Sequence, residues 1–189
     1  MAAHRPVMLI ILDGWGIREM EAGNAVALGR TPNFDRWLRT RERSIIQTSG
    51  EFVGLVPDQM GNSEVGHLNL GAGRIVYQDI TRIDIAIKDG SLAKNEVLVQ
   101  TLERARNGHN NVHLIGLLGP GGVHSHESHL YALLAIAGQQ GIDPVVHVIT
   151  DGRDTPPNSG IGFLANLEAR ISEIGAGRIA TVSGRYYAM

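Results

Sequence analysis

One serine set among glycines, a cluster of histidines and two acidic–basic turns have the residue types and spacing for chemistry. In MGNSEVGHLNLGAGR, residues 60–74, Ser63 directly follows Asn62, a good helix N-cap. Its hydroxyl is therefore expected in the first turn of a helix, where free backbone N–H groups and the helix dipole favour a phosphate. A serine hydroxyl is a weak nucleophile until a base or a metal activates it. The spacing is not G-x-S-x-G, because the glycine falls one residue late at Gly66, and no G-K-[ST] follows. A nucleophile elbow and a P-loop are thus excluded. Activation by a metal is the better chemical route. The plain structural alternative is a serine that only starts a helix.

Asp13, in DGWG, ends an apolar run and reads either as an Asp-Gly turn or as a metal ligand at a strand end. His124, His126 and His129 form HSHESH. They admit three readings. One is the H-x-H-x-D-H metal cluster of metallo-β-lactamase-like hydrolases, with Ser128 standing where that pattern has aspartate. In another, His124 alone contacts a phosphate or passes protons; in the third, the stretch is a surface helix start. Arg153 and Asp154 in DGRD, together with Asp151, and Arg185 in SGRYY sit at two further strand ends. A solvated turn with an internal ion pair is the bland reading, and such pairs contribute little. Two arginines with a carboxylate between them also suit a small phosphorylated acid, since a guanidinium binds oxyanions in pairs.

The elements that must position these groups follow from periodicity. Residues 7–12 and 44–50 read as strands. Thr31 and Pro32 read as an N-cap and first helical residue, followed by an apolar face of Phe34, Trp37 and Leu38. From about Tyr77 the pattern alternates. Helices marked by Ile80, Ile83 and Ile87, and by Val97, Leu98, Leu102 and Ala105, precede a strand in NVHLIGLLG. A helix bearing Leu130, Leu133, Leu134 and Ala137 comes next, then a strand in PVVHVITDG, a helix bearing Ile161, Leu164, Leu167 and Ile171, and a strand in RIATVSGR. Strand–helix alternation predicts an α/β fold of parallel-sheet layers with helices on both faces. Ligands of such sheets bind beyond the carboxyl ends of the strands, where the unusual polar clusters lie. A short linker at residues 73–79 divides the chain into expected domains at residues 1–76 and 77–189.

The totals exclude several function classes. A net charge of −2 over 189 residues gives no global pull toward nucleic acid or an anionic membrane. Cysteine is absent, so disulfides, thiolate nucleophiles and cysteine-bound zinc are excluded. The apolar run at residues 7–12 is too short for a signal peptide or a membrane span, which predicts a cytoplasmic protein. The 24 glycines exceed the usual share of about 7% and suggest backbone closing on a small polar ligand.

LDGWG, PDQMGNSEVGHLNLGAGR, GGVHSH, DGRDTPP and SGRYYAM occur in this order across nearly the whole chain. Together they resemble the cofactor-independent phosphoglycerate mutase family. The resemblance implies a metal-dependent isomerase of glycolysis and gluconeogenesis, related to alkaline phosphatase, that interconverts 3-phosphoglycerate and 2-phosphoglycerate. It implies two divalent metal ions, manganese foremost, no 2,3-bisphosphoglycerate, and a monomer at full length. Residues 1–76 would be the first part of the phosphatase-like domain, and residues 77–189 the first part of an inserted substrate (transferase) domain. Carried over by position, Asp13 would bind metal, and Ser63 would be both metal-bound and transiently phosphorylated. His124, Arg153, Asp154 and Arg185 would hold phosphoglycerate. Members of the family are far longer, and strands late in their chains complete the first sheet. This chain therefore reads as a fragment that is inactive alone, because one aspartate and one serine do not satisfy two ions wanting about five or six ligands each. A metallo-hydrolase built on HSHESH and a non-catalytic phosphoglycerate-binding α/β domain stand as alternatives.

Overall fold

The structure, a computed structural model, describes residues 5–189; residues 1–4, which open the first expected domain, lie outside the described residues. The chain divides into two compact units, one running up to Val53 and through Asp58–Val76, the other comprising Gly54–Pro57 and Tyr77–Met189.

In the first unit the helices are α1 (Ala25–Leu28), α2 (Pro32–Thr40) and α3 (Ser63–Ala72), with a 3₁₀ turn at Gly50–Val53. Pro32 at the first helical position starts α2, and the Thr31 hydroxyl donates to Asp35 at 2.8 Å rather than capping the backbone. Trp15 meets Phe34 of α2 edge to face, with ring centroids 5.3 Å apart. Around this pair lies a cavity of about 220 Å³ that Leu38 also lines; it contains neither Ser63 nor Asp13. Residues 7–12 and 44–50 form no strand. Val7 is 95% exposed and Ile45 75% exposed. Apolar, β-branched residues favour an extended backbone, but a strand needs a neighbour to complete its hydrogen-bond ladder. No described element supplies one to either run.

The second unit realises the alternation. Helices α4 (Asp79–Lys88) and α5 (Glu96–Asn107) lead to β1 (His113–Leu118), α6 (Glu127–Gln139), β2 (Val145–Thr150), α7 (Gly160–Ile174), β3 (Arg178–Gly184) and the short α8 (Arg185–Ala188). The strands pair in parallel in the order β1-β2-β3, with His113 opposite Val145 and Val145 opposite Arg178. Leu118, Val146 and Val148 of the sheet pack with Leu134 of α6 and Leu167 of α7, all at most 2% exposed. Both crossover helices line this one cluster, as right-handed connections between strands in sequential order require. The opposite face carries His113, Ile115 and His147. There the His113 Nδ1 and His147 Nε2 atoms lie 2.9 Å apart, and the His147 Nδ1 atom is 2.8 Å from the Thr181 hydroxyl. Among the described residues no helix is long and apolar enough to cross a membrane. The α/β class with a parallel sheet is as the alternation predicts, but the expected helices on both faces are not found among the described residues. Helices α6 and α7 share one face, because sequential right-handed crossovers place them on the same side, and Ile115 on the other face is exposed.

Candidate functional site

The first candidate centre is built on the start of α3. The Asn62 side chain accepts from the Val65 N–H at 3.0 Å, which fixes Ser63 as the first helical residue. The preceding loop is pressed close: a Cβ on Gly61 would stand 1.8 Å from the Thr48 carbonyl oxygen, so only glycine fits there. Asn69, one face of α3 further on, donates to the Val53 and Val65 carbonyls at 3.0 and 2.6 Å and accepts from the Val76 N–H at 2.7 Å. These bonds anchor the helix whose N-terminus carries the serine.

The Ser63 hydroxyl donates to Asp13 Oδ2 at 2.5 Å. Sequence reading put these two residues in one centre without showing that they touch, since fifty positions separate them. It missed His67, whose Nδ1 lies 3.2 Å from the Ser63 hydroxyl and 2.8 Å from the Ser63 carbonyl oxygen. The spacing of four along a helix was the available signal. A carbonyl only accepts, so Nδ1 carries the proton and donates to it. In this arrangement His67 has no lone pair for the serine proton, and Asp13 is the acceptor.

The second centre lies at the carboxyl ends of the three strands. After β1 the chain brings His124 to Asp154, with Nδ1 and Oδ2 2.6 Å apart. Arg185, the first residue after β3, donates from Nη1 to Asp151 Oδ1 at 2.9 Å and to Asp154 Oδ2 at 2.8 Å. Its Nη2 lies 3.3 Å from His124 Nδ1. The Arg185 guanidinium, and then His124, hold the Asp154 carboxyl below the ordinary carboxylate range. Burial works to raise Asp151, but the N–H groups of Arg153 and Asp154 together with Arg185 outweigh it, so Asp151 also titrates low. Asp154 and then Asp151 in turn push Arg185 above its ordinary value. Arg153 is exposed and joins the cluster through its backbone N–H, which donates to Asp151 at 3.0 Å.

The histidines of HSHESH part company. His124 faces Asp154; His126 caps α6 and lies 2.7 Å from the Ser128 hydroxyl; the His129 Nε2 atom lies 2.7 Å from Asp84 of α4. Each has its own partner, and among the described residues no three His, Cys, Asp or Glu side chains converge as a metal site would require. The metallo-hydrolase alternative is not favoured. The Asp13 and Ser63 oxygens are hard donors of the kind that suit magnesium, calcium or manganese. They are only two, so the described residues fit part of a coordination sphere and do not complete one.

The profile of the family described as the BPG-independent PGAM N-terminus matches residues 83–189. The chain belongs to this family. Over 185 residues it is 56% identical to the 2,3-bisphosphoglycerate-independent phosphoglycerate mutase of Rippkaea orientalis, covering 97% of this chain and 35% of that protein. The corresponding mutase of Desulforudis audaxviator is 52% identical over 190 residues, with 100% of this chain and 37% of that protein covered. The chain therefore spans little more than a third of the length of the curated relatives it matches. A crystal structure of Leishmania mexicana phosphoglycerate mutase at low cobalt concentration matches with a TM-score of 0.62 at 36% identity, over 85% of this chain and 30% of that one. The structural match supports the α/β architecture.

Proposed function

We propose that this chain is the N-terminal part of a cofactor-independent phosphoglycerate mutase, which interconverts 3-phosphoglycerate and 2-phosphoglycerate through a phosphoserine at Ser63. The observation that supports it best is the Ser63 hydroxyl, held 2.5 Å from Asp13 at the N-terminus of α3 in a chain of this family. The Ser63 oxygen attacks the phosphorus of 3-phosphoglycerate and the bond from phosphorus to the C3 oxygen breaks. The phosphoryl group passes to serine, and the C3 oxygen takes a proton. The 2-hydroxyl of the glycerate then attacks the phosphoserine, giving up its proton and restoring the serine oxygen, so the reaction is balanced without 2,3-bisphosphoglycerate. Asp13 directs the serine proton away from the attacking lone pair. Phosphoryl transfer depends chiefly on such positioning and on charge neutralisation.

His124, Arg153, Asp154 and Arg185 are the residues assigned to phosphoglycerate, with Asp154 accepting from glycerate hydroxyls. The two divalent ions, manganese foremost, belong to this reading through the family resemblance. Asp13 and Ser63 would contribute to them, and the remaining donors would come from the two-thirds of the relatives' length that this chain does not span. A cytoplasmic enzyme, monomeric at full length and without nucleic-acid or membrane partners, completes the proposal.

The test joins this chain to the remaining part of the Rippkaea orientalis relative. The chimera is expected to convert 3-phosphoglycerate to 2-phosphoglycerate, and its Ser63→Ala variant to fold and lose turnover. A well-folded Ser63→Ala chimera with near-normal turnover would remove the nucleophile from this reading.

A further inference from the structure

Asp151 follows β2 directly, and its side chain is 5% exposed. One oxygen does the bonding. Oδ1 accepts from the Arg153 N–H at 3.0 Å, from the Asp154 N–H at 3.2 Å and from Arg185 Nη1 at 2.9 Å. The first two bonds fold the chain after β2 back on itself; the third reaches the end of β3, 34 residues later. All three donors belong to residues assigned to phosphoglycerate. Asp154 differs in position and duty: its Oδ2 is shared between Arg185 and His124, the latter with 43% of its side chain exposed.

We infer that Asp151 is the positioning residue of the phosphoglycerate cluster, setting the Arg153–Asp154 backbone and the Arg185 guanidinium in one register without touching the ligand. A carboxylate suits the task for a physical reason. One oxygen with two lone pairs accepts divided bonds from converging donors, and its charge strengthens each of them. Preorganising the donors before the ligand arrives lowers the ordering cost of binding.

The inference rests on the mutase reading, and binding by the 189-residue chain itself separates the two. 3-Phosphoglycerate is titrated into the wild type, Asp151→Ala and Asp151→Asn, while amide hydrogen exchange is followed at Arg153 and Asp154. Asp151→Ala is expected to weaken binding about ten-fold or more and to speed exchange at both amides. Asp151→Asn keeps an acceptor oxygen in place. It is expected to recover affinity to within about three-fold of the wild type and to keep both amides slow. A role in stability alone would lower the melting temperature of Asp151→Ala and leave the affinity of its folded fraction unchanged, which would overturn the inference. Should Asp151→Ala fail to fold, an Asp151→Asn protein that folds but binds as poorly as Arg185→Ala overturns it equally. A wild-type chain that does not bind 3-phosphoglycerate overturns the assignment of this cluster to phosphoglycerate, while the mutase reading stands or falls on the chimera; wild-type binding that survives in folded Asp151→Ala sinks the positioning role alone.

Discussion

At the scale of single residues, hydrogen-bond bookkeeping separates two neighbours of Ser63 that look equally suited to activate it. Asp13 accepts a hydrogen bond from the Ser63 hydroxyl, whereas the His67 Nδ1–H donates to the Ser63 carbonyl. In an active chimera, Asp13→Ala is therefore expected to lower kcat by about a hundred-fold or more, and His67→Ala by less than about ten-fold. The reverse ranking in steady-state assays would make His67 the base. Arg185, paired to two carboxylates, is expected on replacement by Ala to lose about thirty-fold or more in kcat/KM. The same pairs set an acid limit. Asp151 and Asp154 both titrate below the ordinary 3.8 in the folded state, so they contribute stability above that value and lose it as pH falls through their lower folded values. The melting temperature should be level from about pH 7 to 5 and fall below about pH 4. A profile unchanged by Asp151→Asn would show that these carboxylates do not set it.

The elements show what a sequence can and cannot reveal. The three strands and α4–α7 of the second unit were legible, because each strand finds its partner within the same segment and each of these helices carries an apolar stripe; the four-residue α8 that begins at Arg185 was not. The runs at residues 7–12 and 44–50 were misread, since β-propensity reports a willingness to be extended and says nothing about the neighbour that completes a ladder. The chemistry divides likewise. Ser63, Asp13, Asp154 and Arg185 stood out through their motifs, but an Asp-Gly-Arg-Asp turn looks the same whether or not a distant arginine shares its first carboxylate. Packing gives a further prediction. Leu134, fully buried against the sheet, is expected to cost about 2–5 kcal/mol when cut to Ala, whereas Ile115, 75% exposed on the other face, should stay within about 0.5 kcal/mol. Urea unfolding of the two variants distinguishes them, and equal losses would mean that the second face is covered in solution.

For the whole molecule, the donor count governs activity. The 189-residue chain alone is expected to show no conversion of 3-phosphoglycerate with manganese titrated in, because Asp13 and Ser63 are its only described donors at the nucleophile; metal-dependent turnover by the monodisperse chain would refute this. The sheet order β1-β2-β3 has a consequence of another kind, for the timing of synthesis. Each strand meets a partner that left the ribosome just before it, so the second unit can assemble as it emerges, with little loop to close. The residues translated first have no such partner at hand and keep Val7, Met8 and Ile45 in water meanwhile. In this chain the segment made first is expected to be settled last, leaving an early target for chaperones and proteases. Brief proteolysis of ribosome-bound chains should spare residues 77–189 and digest those before Val53; protection of the early segment would reverse that order.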